Sequence, residues 1–186
     1  MKKIHLLAVL FAVALLGCSS LNVNSDYDPE FDFTTLKKFR FATNEESSKK
    51  DLLASNPLLK KRIENSVKKE LIKKGFGFVE GGGADFVVNL MAGTEDKTEV
   101  SSSPNVYYGY GYGYWGGYYG GSNVTVTNYT EGTLLIDIIS TAKNQLVWRG
   151  VVTDVIDRTA TTHEEKQEYL DYIVTEGLKD FPPSGK

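Results

Sequence analysis

The sequence predicts an α+β domain: a largely antiparallel sheet of about five strands, covered on one face by two amphipathic helices as a two-layer sandwich, plus a Tyr/Gly-rich hairpin loop. Three observations predict it. Runs rich in Val and Ile are separated by short polar turns, which brings consecutive strands back antiparallel to one another. Two further segments space their apolar residues at helical intervals between recognisable start and stop residues. The composition, 41% apolar and 24% charged in 186 residues, is that of one globular domain and excludes a collagen, a disulfide scaffold or a disordered tail.

In chain order, Asp32 to Phe41 reads as a first strand, with Phe33, Leu36, Phe39 and Phe41 as its apolar positions. Thr43 to Ser55 is polar and charged and reads as a loop. Asn56 supplies a helix N-cap, Pro57 fits the first helical position and Gly75 the stop, so a helix is expected over 57–74. Its apolar stripe is Leu59, Ile63, Val67 and Leu71, and Lys61, Arg62, Lys68, Lys69 and Lys73 lie on the opposite face. That basic face reads as a solvated surface before it reads as a site for anionic lipid head groups. Phe76 to Val79, the turn Gly81-Gly82-Gly83 and Ala84 to Ala92 form a short strand, a turn and a longer strand. Thr133 to Ser140 and Leu146 to Val155 are two more, joined by Thr141 to Gln145. Thr162-His163-Glu164-Glu165 opens the last helix with a capping-box pattern; Leu170, Ile173, Val174, Leu178 and Phe181 form its apolar face, and Pro182-Pro183 ends it.

Between Tyr107 and Gly121 stand seven tyrosines and seven glycines. In an extended chain Tyr108, Tyr110, Tyr112 and Tyr114 project to one side, beside Trp115, and offer a row of rings able to stack on sugars or on an aromatic partner. The glycines raise the cost of ordering, which favours a loop or covering flap. Gly111-Tyr112-Gly113-Tyr114-Trp115-Gly116 matches the dinucleotide-binding pattern only formally, because no helix follows to receive a phosphate.

Lys2 and Lys3 precede eleven apolar residues, Leu6 to Leu16, as in a secretory signal, and at ~1.5 Å per residue these are too short to cross a ~30 Å bilayer core. The stretch ends Leu15-Leu16-Gly17-Cys18 and resembles the lipobox of bacterial lipoproteins, in which the cysteine carries acyl chains such as palmitate and starts the mature protein. Cys18 is the sole cysteine of the chain, so it has no intrachain disulfide partner and acylation accounts for it. Ser19 stands where an Asp resembles the inner-membrane retention signal, which points to the outer membrane. The expected organisation is therefore a signal peptide over 1–17, a lipidated terminus and short tether over 18–26, and one domain over 27–183 with residues 107–121 as an insertion. Without residues 1–17 the chain has 19 basic and 24 acidic residues, a formal −5, which makes nucleic acid an unsuitable partner.

The expected mature chain holds one histidine, His163 at a helix start, so Ser-His-Asp, Cys-His and His-based metal sites are not available to it. Catalytic residues: none are predicted, nor any cofactor or metal. Asp137 lies in Leu134 to Ile139 on the same strand face as Leu135 and Ile139, where a carboxylate requires a partner. Arg149 on the following strand is the candidate, as a structural ion pair.

Asp26-Tyr27-Asp28-Pro29 with Asp32-Phe33, then Lys74-Gly75-Phe76, Ala84 to Asn89, Glu131 to Asp137, Leu146 to Gly150 and Phe181-Pro182-Pro183 occur in the order seen in bacterial lipoproteins of the domain-of-unknown-function family 4136, which residues 23–183 resemble. The resemblance implies a compact α+β domain of the Gram-negative type of envelope and no assigned activity. The expected function is a non-enzymatic outer-membrane lipoprotein, held to the membrane by its lipid anchor with the domain facing the periplasm, acting through contacts with an envelope protein in assembly or maintenance. The alternative is a glycan-binding module using Tyr108, Tyr110, Tyr112, Tyr114 and Trp115 on peptidoglycan or a surface polysaccharide.

Overall fold

Residues 21–43, 51–104, 122–156 and 162–183 are described by a computed structural model. They form β1 (Asn22–Tyr27), a 3-10 turn (Phe33–Thr35), β2 (Lys38–Phe41), α1 (Leu52–Ser55), α2 (Pro57–Lys73), β3 (Gly77–Phe78), β4 (Phe86–Pro104), β5 (Ser122–Ser140), β6 (Gln145–Val155) and α3 (His163–Gly177).

The helix boundaries follow from side-chain chemistry. Asn56 accepts the Leu59 N–H at the start of α2, and Gly75, at φ 96°, takes the left-handed conformation that ends it. At α3 the Thr162 hydroxyl accepts the Glu165 N–H while the Glu165 carboxylate accepts the Thr162 N–H, completing the capping box.

The sheet has six strands in the order β1-β6-β5-β4-β2-β3 and is mixed, where about five largely antiparallel strands were expected. β1, β6, β5 and β4 pair antiparallel, but β2 runs parallel to both β3 and β4. The cause is the helix: α2 carries the chain back to the end where β2 began, so β3 starts in the same direction. β3 and β4, expected as neighbours across the glycine turn, are separated by β2.

Three elements differ from the sequence reading for local reasons. Asp32 accepts both the N–H and the hydroxyl of Thr34, at 3.0 and 2.6 Å, which winds Phe33–Thr35 into a 3-10 turn and leaves only Lys38–Phe41 as strand. Asp51, inside the expected loop, caps α1 through the Leu53 N–H and also accepts the Ala92 N–H of β4. The segment expected as a tether up to Asp26 is instead the edge strand β1, paired from Asn22 to Tyr27 with Thr153 to Trp148.

The core lies between one sheet face and the helices. Phe86, Val88, Leu90, Leu134, Ile136, Ile138 and Val152 point to it from the sheet, and Ile63, Val67, Leu71, Leu170, Ile173 and Val174 from α2 and α3. α3 approaches β6 closely where two glycines meet: a Cβ on Gly150 would lie 2.6 Å from the Gly177 carbonyl oxygen. The two helices are also joined by polar contacts. Ser66 donates to Asp171 at 2.6 Å, Lys69 pairs with the same carboxylate at 2.9 Å, and Gln167 donates to both Ser66 and Asp171. The Ser66 hydroxyl, followed by Lys69, holds the Asp171 carboxyl below its ordinary range. The basic face of α2 is thus partly engaged within the fold, with Lys68 also seated over the Phe78 ring at 3.7 Å.

Candidate functional site

The sheet face away from the helices carries a row of polar residues. Register sets Asn89 opposite Asp137, Asp137 opposite Arg149, and Arg149 opposite Asp26, so four adjacent strands contribute to it. Arg149 Nε and Nη2 donate to Asp137 Oδ1 and Oδ2 at 2.6 and 2.7 Å, a bidentate pair. Asp137 is 4% exposed although no helix covers it, because Arg149 lies over it and half-buried Leu135 and Ile139 flank it. The carboxylate in turn raises the already high pKa of the guanidinium. A carboxylate held by both oxygens on a permanent cation is occupied as a structural partner and is poorly placed to move a proton. Asn89 Oδ1, on the neighbouring strand, is buried without a hydrogen-bond partner.

Beyond the end of β6 the strands β4 and β5 continue alone. Nine pairs, from Asp96 with Thr130 to Pro104 with Ser122, extend past the pairing of Glu131 with Val155, which at ~3.3 Å per residue makes a ribbon about 30 Å long. At its root Glu95 and Glu131 stand opposite each other, and Lys97 pairs with both. Farther out Val100 faces Val126, both exposed. Residues 105–121 connect the two strands. Tyr108, Tyr110, Tyr112, Tyr114 and Trp115 therefore belong to this connection, and, like Cys18, lie outside the described residues.

A second feature opens on the helix side at the ribbon root, a cavity of about 590 Å³. Its floor is Ala92, Leu134 and Val152, and its walls include Ile63, Leu170 and Ile173. Small residues create it: where the sheet emerges from beneath the helices, Ala92, Thr94 and Gly132 leave the space that larger side chains fill at the opposite end. Arg62, Lys166, Asp154 and Tyr169 form its rim; the Tyr169 hydroxyl donates to Asp154 at 3.0 Å, and Arg62 contacts His163 Nδ1 at 3.1 Å. Sequence reasoning did not find the cavity. The run Ala92-Gly93-Thr94 and the pair Gly132-Thr133 were its trace, as small residues inside otherwise bulky strands. Among the described residues no cluster of His, Cys, Asp and Glu is arranged to hold a metal ion, and no helix is long and apolar enough to cross a membrane.

Residues 23–183 match the family described as "Domain of unknown function (DUF4136)". The chain belongs to the DUF4136 family. Among solved structures this DUF4136 domain is similar to a PDZ domain protein from Parabacteroides distasonis, with a TM-score of 0.56 at 15% identity over 97% of this chain. It spans 40% of the length of that protein, and the likeness is one of fold. Weaker likenesses are to a PelC dodecamer from Paraburkholderia phytofirmans, with a TM-score of 0.46, 10% identity and coverage of 85% of this chain and 94% of that one, and to a minor lipoprotein from Acinetobacter baumannii, at 0.33, 14%, 77% and 86%. No curated protein matches the DUF4136 chain.

Proposed function

We propose that this DUF4136 protein is a non-enzymatic outer-membrane lipoprotein, anchored through Cys18, whose domain faces the periplasm and acts through protein contacts in envelope assembly or maintenance. The observation that carries the reading is where the fold begins. β1 starts at Asn22, four residues after Cys18, so the anchor lies within ~14 Å of the first paired residue. Asn22 pairs with Thr153, at the end of the sheet from which the ribbon leaves. An anchored domain would therefore present the ribbon root and the cavity at its membrane-proximal end. Several acyl chains hold a domain stably where one is marginal. Changing Cys18 to Ala should abolish incorporation of radiolabelled palmitate and move the protein out of the membrane fraction. Full labelling and membrane sedimentation of that variant would overturn the reading.

The ribbon also supports a second reading, in which Tyr108, Tyr110, Tyr112, Tyr114 and Trp115 contact peptidoglycan or a surface polysaccharide, since the two strands that their segment connects run about 30 Å past the end of β6. Deletion of residues 107–121 should then remove co-sedimentation with purified cell-wall material. Equal co-sedimentation of the two forms would exclude that segment as the contact.

A further inference from the structure

We infer that the cavity at the ribbon root binds one acyl chain bearing an acidic head group, with the chain inside and the head group at Arg62 and Lys166. The cavity matches this chemistry in both of its parts. Its interior is walled by apolar side chains that belong to the core itself: Ile63, Leu134, Val152, Leu170 and Ile173 are all buried. Its volume, about 590 Å³, is in the range of ~300–1,000 Å³ typical of sites for small ligands.

The rim is polar and carries more positive than negative charge. Arg62 projects from α2 and Lys166 from α3, so two cations approach the mouth from separate elements. Asp154 is the acidic group lining it, and its carboxylate accepts the Tyr169 hydroxyl and the Val155 N–H. A carboxylate or phosphate at the mouth would meet the guanidinium and the ammonium, whereas an amine would meet two like charges. An apolar helix of a partner protein would fill the interior but would leave the rim's excess of positive charge unmatched.

The cavity also lies at the end of the sheet where β1 begins, since Val152 and Asp154 flank the Thr153 that pairs with Asn22. On the lipoprotein reading this is the end nearest the bilayer, where acyl chains are plentiful. That point rests on the lipid anchor; the interior and rim do not, so binding is measured with the free chain in solution.

The experiment titrates a fluorescent sixteen-carbon fatty acid, below its micellar concentration, into the full-length protein, with unlabelled palmitate and hexadecanol as competitors. One saturable site per chain is expected, with palmitate displacing the probe better than hexadecanol. Ala92→Phe, which fills the floor, should weaken binding at least tenfold with little change in the thermal midpoint. Thr94→Trp at the rim provides a second obstruction should the first variant misfold. The double variant R62E/K166E should remove the preference for palmitate over hexadecanol while leaving hexadecanol binding intact. Absence of saturable binding, or full binding by the obstructed variants, would overturn the assignment. So would a change of oligomeric state on obstruction without fatty-acid binding, which would make a second copy of the chain the occupant. Loss of anchoring in the Cys18 variant and loss of binding in these variants are separate results, so either reading can fail alone.

Discussion

Phe181→Ala should cost about 3–5 kcal/mol of folding stability, the range for deleting a large buried aromatic side chain. Phe181 follows α3 and is 1% exposed. Its ring centroid lies 5.2 Å from that of Trp148, 5.4 Å from Phe76, 5.9 Å from Phe86 and 6.3 Å from Phe33. These rings come from β6, the turn after α2, β4 and the 3-10 turn, so one side chain joins four parts of the chain. Alanine would leave a cavity that rings of fixed geometry cannot close, and edge-to-face contacts would be lost in addition to buried area. With ~2–4 °C lost per kcal/mol in a domain of this size, thermal unfolding should shift down by about 10 °C. Phe181→Leu should recover part of the loss. A shift below ~3 °C for the alanine variant would mean that the aromatic cluster is not a main source of stability.

The two ends of the core are thus built differently. Aromatic rings fill the end at Phe86 and Trp148, while small residues and the cavity occupy the end at Ala92 and Val152. Substitutions at the cavity end should be tolerated far better, which makes Ala92→Phe usable as a probe of binding.

The sequence disclosed those features that depend on near neighbours. The bounds of α2 and α3 were readable from Asn56, Pro57, Gly75 and Thr162 because caps act within a turn of the backbone. The inner part of β5 and nearly all of β6 were readable because burial imposes Val and Ile, and strict alternation placed Asp137 with Leu135 and Ile139. β1 was not, because an exposed edge strand such as Asn22-Val23-Asn24-Ser25-Asp26-Tyr27 buries little and shows no apolar alternation. The same holds for the outer parts of β4 and β5: a two-stranded ribbon outside the layers has no core face to encode. The parallel pairing of β2 and the assembly of the cavity from six elements depend on how distant segments return, which neither periodicity nor capping specifies.

Arg149→Met is the second substitution expected to have a large effect, about 2–3 kcal/mol, toward the lower side of what breaking a buried pair costs, because 40% of the Arg149 side chain remains exposed. The loss arises mainly from what is left behind. Asp137 would keep its buried position between Asn89 and the vacated site, with no cation to balance its charge. Asp137→Leu combined with Arg149→Met should restore most of the stability, since removing both partners deletes the desolvated charge along with the attraction. Urea unfolding of the wild type, both single variants and the double variant measures the coupling directly. A double variant no more stable than Arg149→Met would show that the pair contributes something that apolar packing cannot replace, and with Asn89 Oδ1 buried and unpartnered beside it, the uncovered sheet face would then be the place to look for that role.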